Sequence, residues 1–219
     1  MEDDSIMKDD NKTATDRPPA KDASINGRIA GRVAELRSAR GLSLDALAQQ
    51  SDVSRSMISV IERGEANPTA VVLEKLAAGL GVPLASLFDT ARAAPGPLVR
   101  RTEQSEWRDP ASGYLRRNVS PPDHPSPLRI VEVEFPAGKR VVLEGSTHAN
   151  AIDEQVWMLE GAMAVTIGGT RHRLAAGDCL ALHVDAPIEF HNPTRRPARY
   201  AVVIATAPSN VARHRPMTR

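Results

Sequence analysis

The sequence predicts an α + β chain of two domains, an all-helical unit followed by an all-β unit. Three observations carry this. Apolar residues recur at helical spacing between Gly27 and Thr90, as in Ile29, Val33, Leu36 and again Leu44, Leu47, Ala48. Beyond Gln104 the apolar period falls to two, in runs such as "LRIVEVEF" and "ARYAVVIAT". Between them, "ARAAPGPLVRRTEQ" has the Pro, Gly and Arg content of a linker.

These shifts set the expected boundaries: a disordered polar tail over 1–26, a helical domain over 27–90, a linker over 91–109, a β domain over 110–207 and a basic tail over 208–219. The chain of 219 residues is long enough for two units that each bury a core. With 28 Lys and Arg against 27 Asp and Glu, net charge alone announces no nucleic-acid partner. Aromatic residues are 3 % of the chain, so an aliphatic core is expected. No apolar run reaches the ~18 residues of a membrane span. The acidic start "MEDDSIMKDDNK" does not read as a signal peptide. Cys179, the single cysteine, suits a reducing cytoplasm and, within "GDCLALHV", is expected to be buried.

In the helical domain the punctuation predicts five short helices. Gly41 ends the first, Ser43 caps the second, Ser54 the third and Thr69 the fourth, and Pro83 opens a fifth over "PLASLFD". Gly64 and Gly81 are stops. In the β domain, "LRIVEVEF", "VWMLEGAMAVTI", "TRHRLAAGDCLAL", "IEFHN" and "ARYAVVIAT" read as strands, with Gly168–Gly169 as a hairpin turn. Short strands with regular turns and no intervening helix suggest a closed sandwich or barrel.

The segment "SDVSRSMISVIERGEANPT" holds the first functional clue. On a helical wheel Ile58, Ile61 and Glu62 share one side, whereas Arg55, Ser56, Ser59, Val60 and Arg63 lie across the other. So short a helix is not stable alone and must be held by its neighbours. A helix, a tight turn and a second helix with a small polar face fit a reader of the DNA major groove, where Arg and Ser meet base edges or phosphates.

From "GLSLDALAQQSDVSRSMISVIERGEANPTAVVLEKLAAGLGVPLASLF" the helical unit resembles the helix-turn-helix domain of the XRE (Cro/cI-type) bacterial regulators, a lambda-repressor-like fold. The resemblance implies that Arg55, Ser56, Ser59 and Val60 face the groove, Val60 toward a thymine methyl, with Arg63 and Ser43 beside them. Leu44 stands where the family often has a phosphate-binding Gln, and Asp52 where it has a turn Gly. Glu62 is implied to pair with Arg37. Arg28, Arg32 and Arg40 read equally well as phosphate contacts or as solvated helix charges.

The second unit resembles a type 2 cupin, a jelly-roll β-barrel. In "HANAIDEQVWMLEG", His148, Glu154 and Gly161 keep the family's HxHxxxExxxxxxG spacing, and Asn150 takes the second His position. In "GDCLALHVDAPIEFHN", Gly177 and Asn192 match the motif ends, His183 and Asp185 replace its Pro and Gly, and Ile188 replaces its His. Two of the four metal ligands of a catalytic cupin are thereby lost, and strand parity turns His191 away from Ile188. No catalytic residue, resident metal or cofactor is therefore expected. His148, Asn150 and Glu154, with Met158, Ile188 and Phe190, are the candidate lining of an effector pocket, alongside Val156.

The reading is a cytoplasmic, homodimeric, sequence-specific DNA-binding transcriptional regulator whose β domain dimerises and senses a small molecule. The alternatives are a metal-dependent cupin enzyme with an accessory DNA domain and a DNA-binding protein with an inert dimerisation barrel.

Overall fold

The structure, a computed structural model, describes residues 24–88, 96–122, 124, 126–144, 153–183 and 186–205. Residues 1–23 of the expected 1–26 tail, the whole expected 208–219 tail, and the candidate residues His148, Asn150 and Asp185 lie outside these.

Four α-helices build the first unit: α1 (Ile25–Ala39), α2 (Leu44–Ser51), α3 (Arg55–Glu62) and α4 (Ala70–Gly79). Their starts follow from side chains that accept the first free amides. Ser43 accepts from Ala46 N, Ser54 from Met57 N and Thr69 from Val72 N. α1 starts earlier than expected because Ser24 accepts from Gly27 N. Gly41, Gly64 and Gly81 follow the helices with positive φ, as their stop role requires.

The expected fifth helix is instead a 3₁₀ turn over Leu84–Phe88. Its tighter winding, three residues per turn, brings Ala85 and Phe88 to one side, and both are buried. Ile29, Val33, Leu47, Ile58, Ile61, Leu73, Leu76 and Leu87 form the core of the unit.

Arg37 and Glu62 form the expected pair, side by side and half-buried. Arg37 Nε lies 2.7 Å from Glu62 Oε1 and Nη2 2.9 Å from Oε2. The third guanidinium nitrogen donates to Leu42 O at 2.9 Å. One side chain thus ties the end of α1 to the end of α3 and to the turn before α2.

The second unit is two antiparallel sheets. Strands β1 (Glu106–Arg108), β2 (Leu115–Asn118), β3 (Leu128–Phe135), β10 (Ala198–Ala205), β5 (Asp153–Glu160) and β8 (Cys179–His183) form one sheet in that spatial order. Strands β4 (Arg140–Leu143), β9 (Ile188–His191), β6 (Ala162–Ile167) and β7 (Thr170–Ala175) form the other. Among the described residues every ladder stays within its sheet, so the expected closed sandwich or jelly-roll barrel is seen as a two-layer sandwich without detected closure.

The run "VWMLEGAMAVTI" is two strands. Gly161 breaks it at φ +77°, where a Cβ would lie 3.0 Å from Pro197 O, and the chain passes from one sheet to the other. Gly168–Gly169 makes the expected turn between β6 and β7. Within the 91–109 stretch, Glu106–Arg108 joins the first sheet as β1.

Two expectations about the core fail. Cys179 is exposed, because strand parity sets it opposite Trp157 on the outer face of its sheet while Leu182 points inward. Nor is the core wholly aliphatic. Six of the seven aromatic residues form one continuous file, Phe88, Trp107, Tyr114, Phe135, Tyr200 and Phe190, with successive ring centroids 5.5, 5.8, 5.7, 6.5 and 5.9 Å apart. Phe88 belongs to the helical unit and Phe190 to the far sheet, so the file runs through the junction of the two.

The junction is also hydrogen-bonded. Asp109, only 2 % exposed, accepts from Ala70 N at 3.0 Å through Oδ1 and from Ser112 N at 2.8 Å through Oδ2. A carboxylate from the β1–β2 turn therefore satisfies one of the free amides at the start of α4.

Candidate DNA interface and effector cavity

α2 and α3 are joined by Asp52, Val53 and the cap residue Ser54. Asp52 takes left-handed geometry, φ 52° and ψ 35°, which Asp tolerates better than most side chains. Lys75 Nζ from α4 lies 2.9 Å from Asp52 Oδ2, and this contact holds the Asp52 carboxyl below its ordinary range. Val53 and Ile58 are buried, which anchors the turn. Gly79 of α4 packs directly on the end of α2: a Cβ there would lie 2.7 Å from Ser51 Cβ. The turn and α4 are thus one rigid piece.

α3 leaves Arg55, Ser56 and Met57 exposed and Ser59 and Val60 partly exposed. Arg55 Nε lies 3.1 Å from Asp45 Oδ1 at the start of α2, with both side chains mostly in solvent. Ser56 Oγ is 3.2 Å from Ser54 Oγ. Arg63, the residue that ends α3, donates to Ser59 Oγ at 2.5 Å and to Glu65 at 3.0 Å. Ser43 Oγ accepts from Ala46 N as a cap, so its acceptor role is already committed within α2. Arg55, Ser56, Ser59 and Val60 lie on α3 and Arg63 caps its end, and the Arg55–Asp45 and Arg63–Glu65 ion pairs are exposed surface contacts of little energetic weight. Arg32 donates to Ser86 O and Glu35, and Arg40 to Leu36 O, so both serve the helical unit's own structure. Met57 was not singled out in the sequence. Its 42 % exposure adds a thioether to this surface.

A cavity of about 80 Å³ lies at the junction of the two units. Its walls are Val133, Phe135, Val141, Leu143, Ile188, Phe190 and Val202. Of the candidate pocket residues, Glu154, Ile188 and Phe190 line it. Met158 and Val156 do not: they point into the sandwich and are almost fully buried. Asn192 is a structural residue, since its amide nitrogen donates to Phe135 O and Arg196 O and its amide oxygen accepts from Thr194.

Sequence reasoning missed most of this lining. Arg116, Tyr114 and Tyr200 enter from the sandwich, and Glu74, Ala77 and Ala78 of α4 form a roof with Val82 and Leu84. Parity held a signal for Arg116: neighbouring Arg116 and Arg117 in a strand must face opposite ways, so one of them points inward. The roof had no local signal.

The cavity is electrostatically unusual. Burial pushes the Glu154 carboxyl up to about 7, with the Arg116 guanidinium pulling the other way. Burial pushes Tyr114 up to about 12 and holds Tyr200 well above the usual phenol range. Among the described residues no group hydrogen-bonds the Glu154 carboxyl. Arg116 carries its charge 5.2 Å over the Phe88 ring, so it touches both the cavity and the helical unit.

Among the described residues no group of three or more His, Cys, Asp or Glu could hold a metal ion. Of the positions that hold metal in a catalytic cupin, Ile188 offers no donor, and beside Glu154 stands the fixed cation of Arg116.

A helix–turn–helix with an exposed polar face, fused to an antiparallel sandwich, defines a DNA-binding protein with an appended β domain. A helix-turn-helix family model matches residues 33–87 and a cupin-domain model residues 131–204. The crystal structure of an HTH_3 family transcriptional regulator from Vibrio cholerae superposes with a TM-score of 0.67 at 30 % identity, covering 83 % of this chain and 96 % of that one. The HTH-type transcriptional regulators SutR and PuuR of Escherichia coli are 25 % and 26 % identical over 72 % and 74 % of this chain and 83 % and 85 % of their own. The chain belongs to this family: it is a helix-turn-helix transcriptional regulator with a C-terminal cupin domain.

The Glu154 environment predicts a pH dependence. A carboxyl raised from 4.5 to about 7 binds its proton more tightly folded than unfolded. It therefore costs no stability below pH ~4.5, and the cost grows to at most about 3 kcal/mol as pH rises through 7. Glu154→Gln removes that cost, so its melting temperature should exceed the parent's at pH 8 by clearly more than at pH 5. A difference independent of pH would place Glu154 in ordinary solvent.

Proposed function

We propose that α3 enters the major groove of an operator, with Arg55, Ser56, Ser59 and Val60 toward base edges and Arg63 and Ser43 toward the backbone. The single observation that carries this is the pairing of a turn fixed at Asp52 with an eight-residue helix whose outer face is small, polar and Arg-bearing. Two copies read two half-sites about one DNA turn, ~34 Å, apart. The second copy docks on the outer face of the six-stranded sheet. There Leu128, Ile130 and Trp157 are 49 %, 40 % and 50 % exposed, with Ala201, Val203 and Ala205 registered between them. No helix among the described residues is long and apolar enough to cross a membrane, and we place the protein with its DNA in the cytoplasm.

The β domain binds a small effector and catalyses nothing. Ile188 supports this reading over the metal-dependent enzyme, because it presents hydrocarbon where that enzyme needs a ligand. The open space around Glu154 supports it over an inert dimerisation module.

Arg55→Ala should weaken operator binding by about 1–3 kcal/mol if Arg55 reads a base, and weaken binding to all duplexes alike if it touches phosphate. Fluorescence anisotropy on operator and scrambled duplexes separates the two, and unchanged affinity for both removes Arg55 from the interface. Trp157→Glu should turn the sedimenting dimer into a monomer and weaken operator binding with it. A Trp157→Glu chain that stays dimeric puts the interface elsewhere.

A further inference from the structure

The cavity is roofed by the DNA-binding unit itself. Glu74, Ala77 and Ala78 lie at i, i+3 and i+4 on one side of α4 and close the space above Glu154. Lys75 and Gly79, again four apart, face the reading unit: Lys75 holds Asp52 in the turn before α3, and Gly79 packs on Ser51 at the end of α2. The start of α4 is fixed to the sandwich by Asp109. Lys75 also comes within 3.5 Å of Glu144, just after β4. A helix pinned at one end, with a cavity against one side and the turn before α3 against the other, transmits whatever fills that cavity.

We propose that this cavity is a ligand site shared by the two domains, taking a compact and mostly apolar molecule whose hydrogen-bond donor meets Glu154 and whose body packs on Ala77 and Ala78, so that occupancy moves α4 and the helix-turn-helix together. This rests on the DNA-reading function proposed above and adds where the effector sits, what chemistry it carries and how it is felt. The walls are hydrocarbon and aromatic, which selects an apolar body. Glu154 lines the cavity with no hydrogen bond from any described residue to its carboxyl, and a carboxyl in that state is satisfied by a donor. Arg116 is a positioning residue in this scheme: its guanidinium lines the cavity and lies over Phe88, so a guest that shifts Arg116 also disturbs the packing under the helical unit. An effector changes operator affinity only by its difference in affinity for the two arrangements, and contact with α4 supplies that difference.

The test uses the full chain. Methyl spectra of Ile188 and Val202 report cavity binding of three probes of one size: 1-butanol, n-butylammonium and butanoate. The two donor-bearing probes should bind, with their relative affinity telling a neutral from a charged donor. Glu154→Val should weaken them at least tenfold, and butanoate should be excluded. Equal binding of butanoate, no binding of any probe, or indifference to Glu154→Val overturns the ligand chemistry. The coupling is tested on a duplex selected by the parent chain from a randomised pool. Ala78→Leu fills the cavity from the roof. Because that variant can misfold, Ala78→Cys in a Cys179→Ser background is also modified after folding with propyl methanethiosulfonate. Filling should change affinity for the selected duplex by about 5-fold or more, as expected of allosteric couplings, and abolish probe binding. Unchanged duplex affinity with the cavity filled overturns the coupling while leaving the DNA-reading function standing. A parent chain that selects no duplex overturns that function instead.

Discussion

α4 has to satisfy two cores at once, and most of the molecule follows from that demand. Its Leu73, Leu76 and Leu80 complete the interior of the helical unit, while Glu74, Ala77 and Ala78 close a cavity that belongs to the sandwich. A helix can serve both only if its first turn is fixed and its last turn lies tight on its neighbour. The Asp109 carboxylate does the first, by accepting from Ala70 N in a site only 2 % exposed to water. Gly79 does the second, because any side chain there would collide with Ser51. Neither residue lies on α3 or lines the cavity, yet both determine where α3 is held relative to the sheets.

The same junction explains how the scarce aromatic residues are used. A chain with so few aromatic rings has gathered six of them into one file across the domain boundary. Rings are large and stiff, so they carry packing over a distance that aliphatic side chains would need more residues to span. Arg116 closes the file at Phe88 and brings a charge into an apolar space. That charge lowers the cost of ionising Glu154 without removing it, which leaves a carboxyl poised near neutrality inside a small cavity.

Much of this was legible in the sequence wherever the signal was local. Ser43, Ser54 and Thr69 announced helix starts because a cap acts on amides only a few residues away. Asp52 at the turn was legible through the resemblance, where it stands in place of a turn Gly. The Arg37–Glu62 pair is not local, and it was legible only through the resemblance to a known domain. Strand parity put Ile188 and Phe190 on one face, and both line the cavity. It failed at Met158, because parity separates two faces of a strand without saying whether the inner one meets a cavity or a filled core. It was not applied to Cys179, whose exposure on the outer face follows from pairing with Trp157. Strands β1, β2 and β4 are three or four residues long, too short for their alternation to stand out from a linker. The roof over Glu154 could not be read at all, since it depends on how two independently patterned units meet.

The central claim is that α4 belongs to both domains, so that neither unit can melt without disturbing the other. Scanning calorimetry of the full chain, followed in parallel by helical circular dichroism and by fluorescence of Trp107 and Trp157, both in the sandwich, tests it most directly. The account predicts one coincident transition in the parent chain. It predicts two separated transitions when Asp109→Ala frees the start of α4. Two independent transitions in the parent chain, or an Asp109→Ala variant that still melts as one unit at the parent temperature, would contradict it.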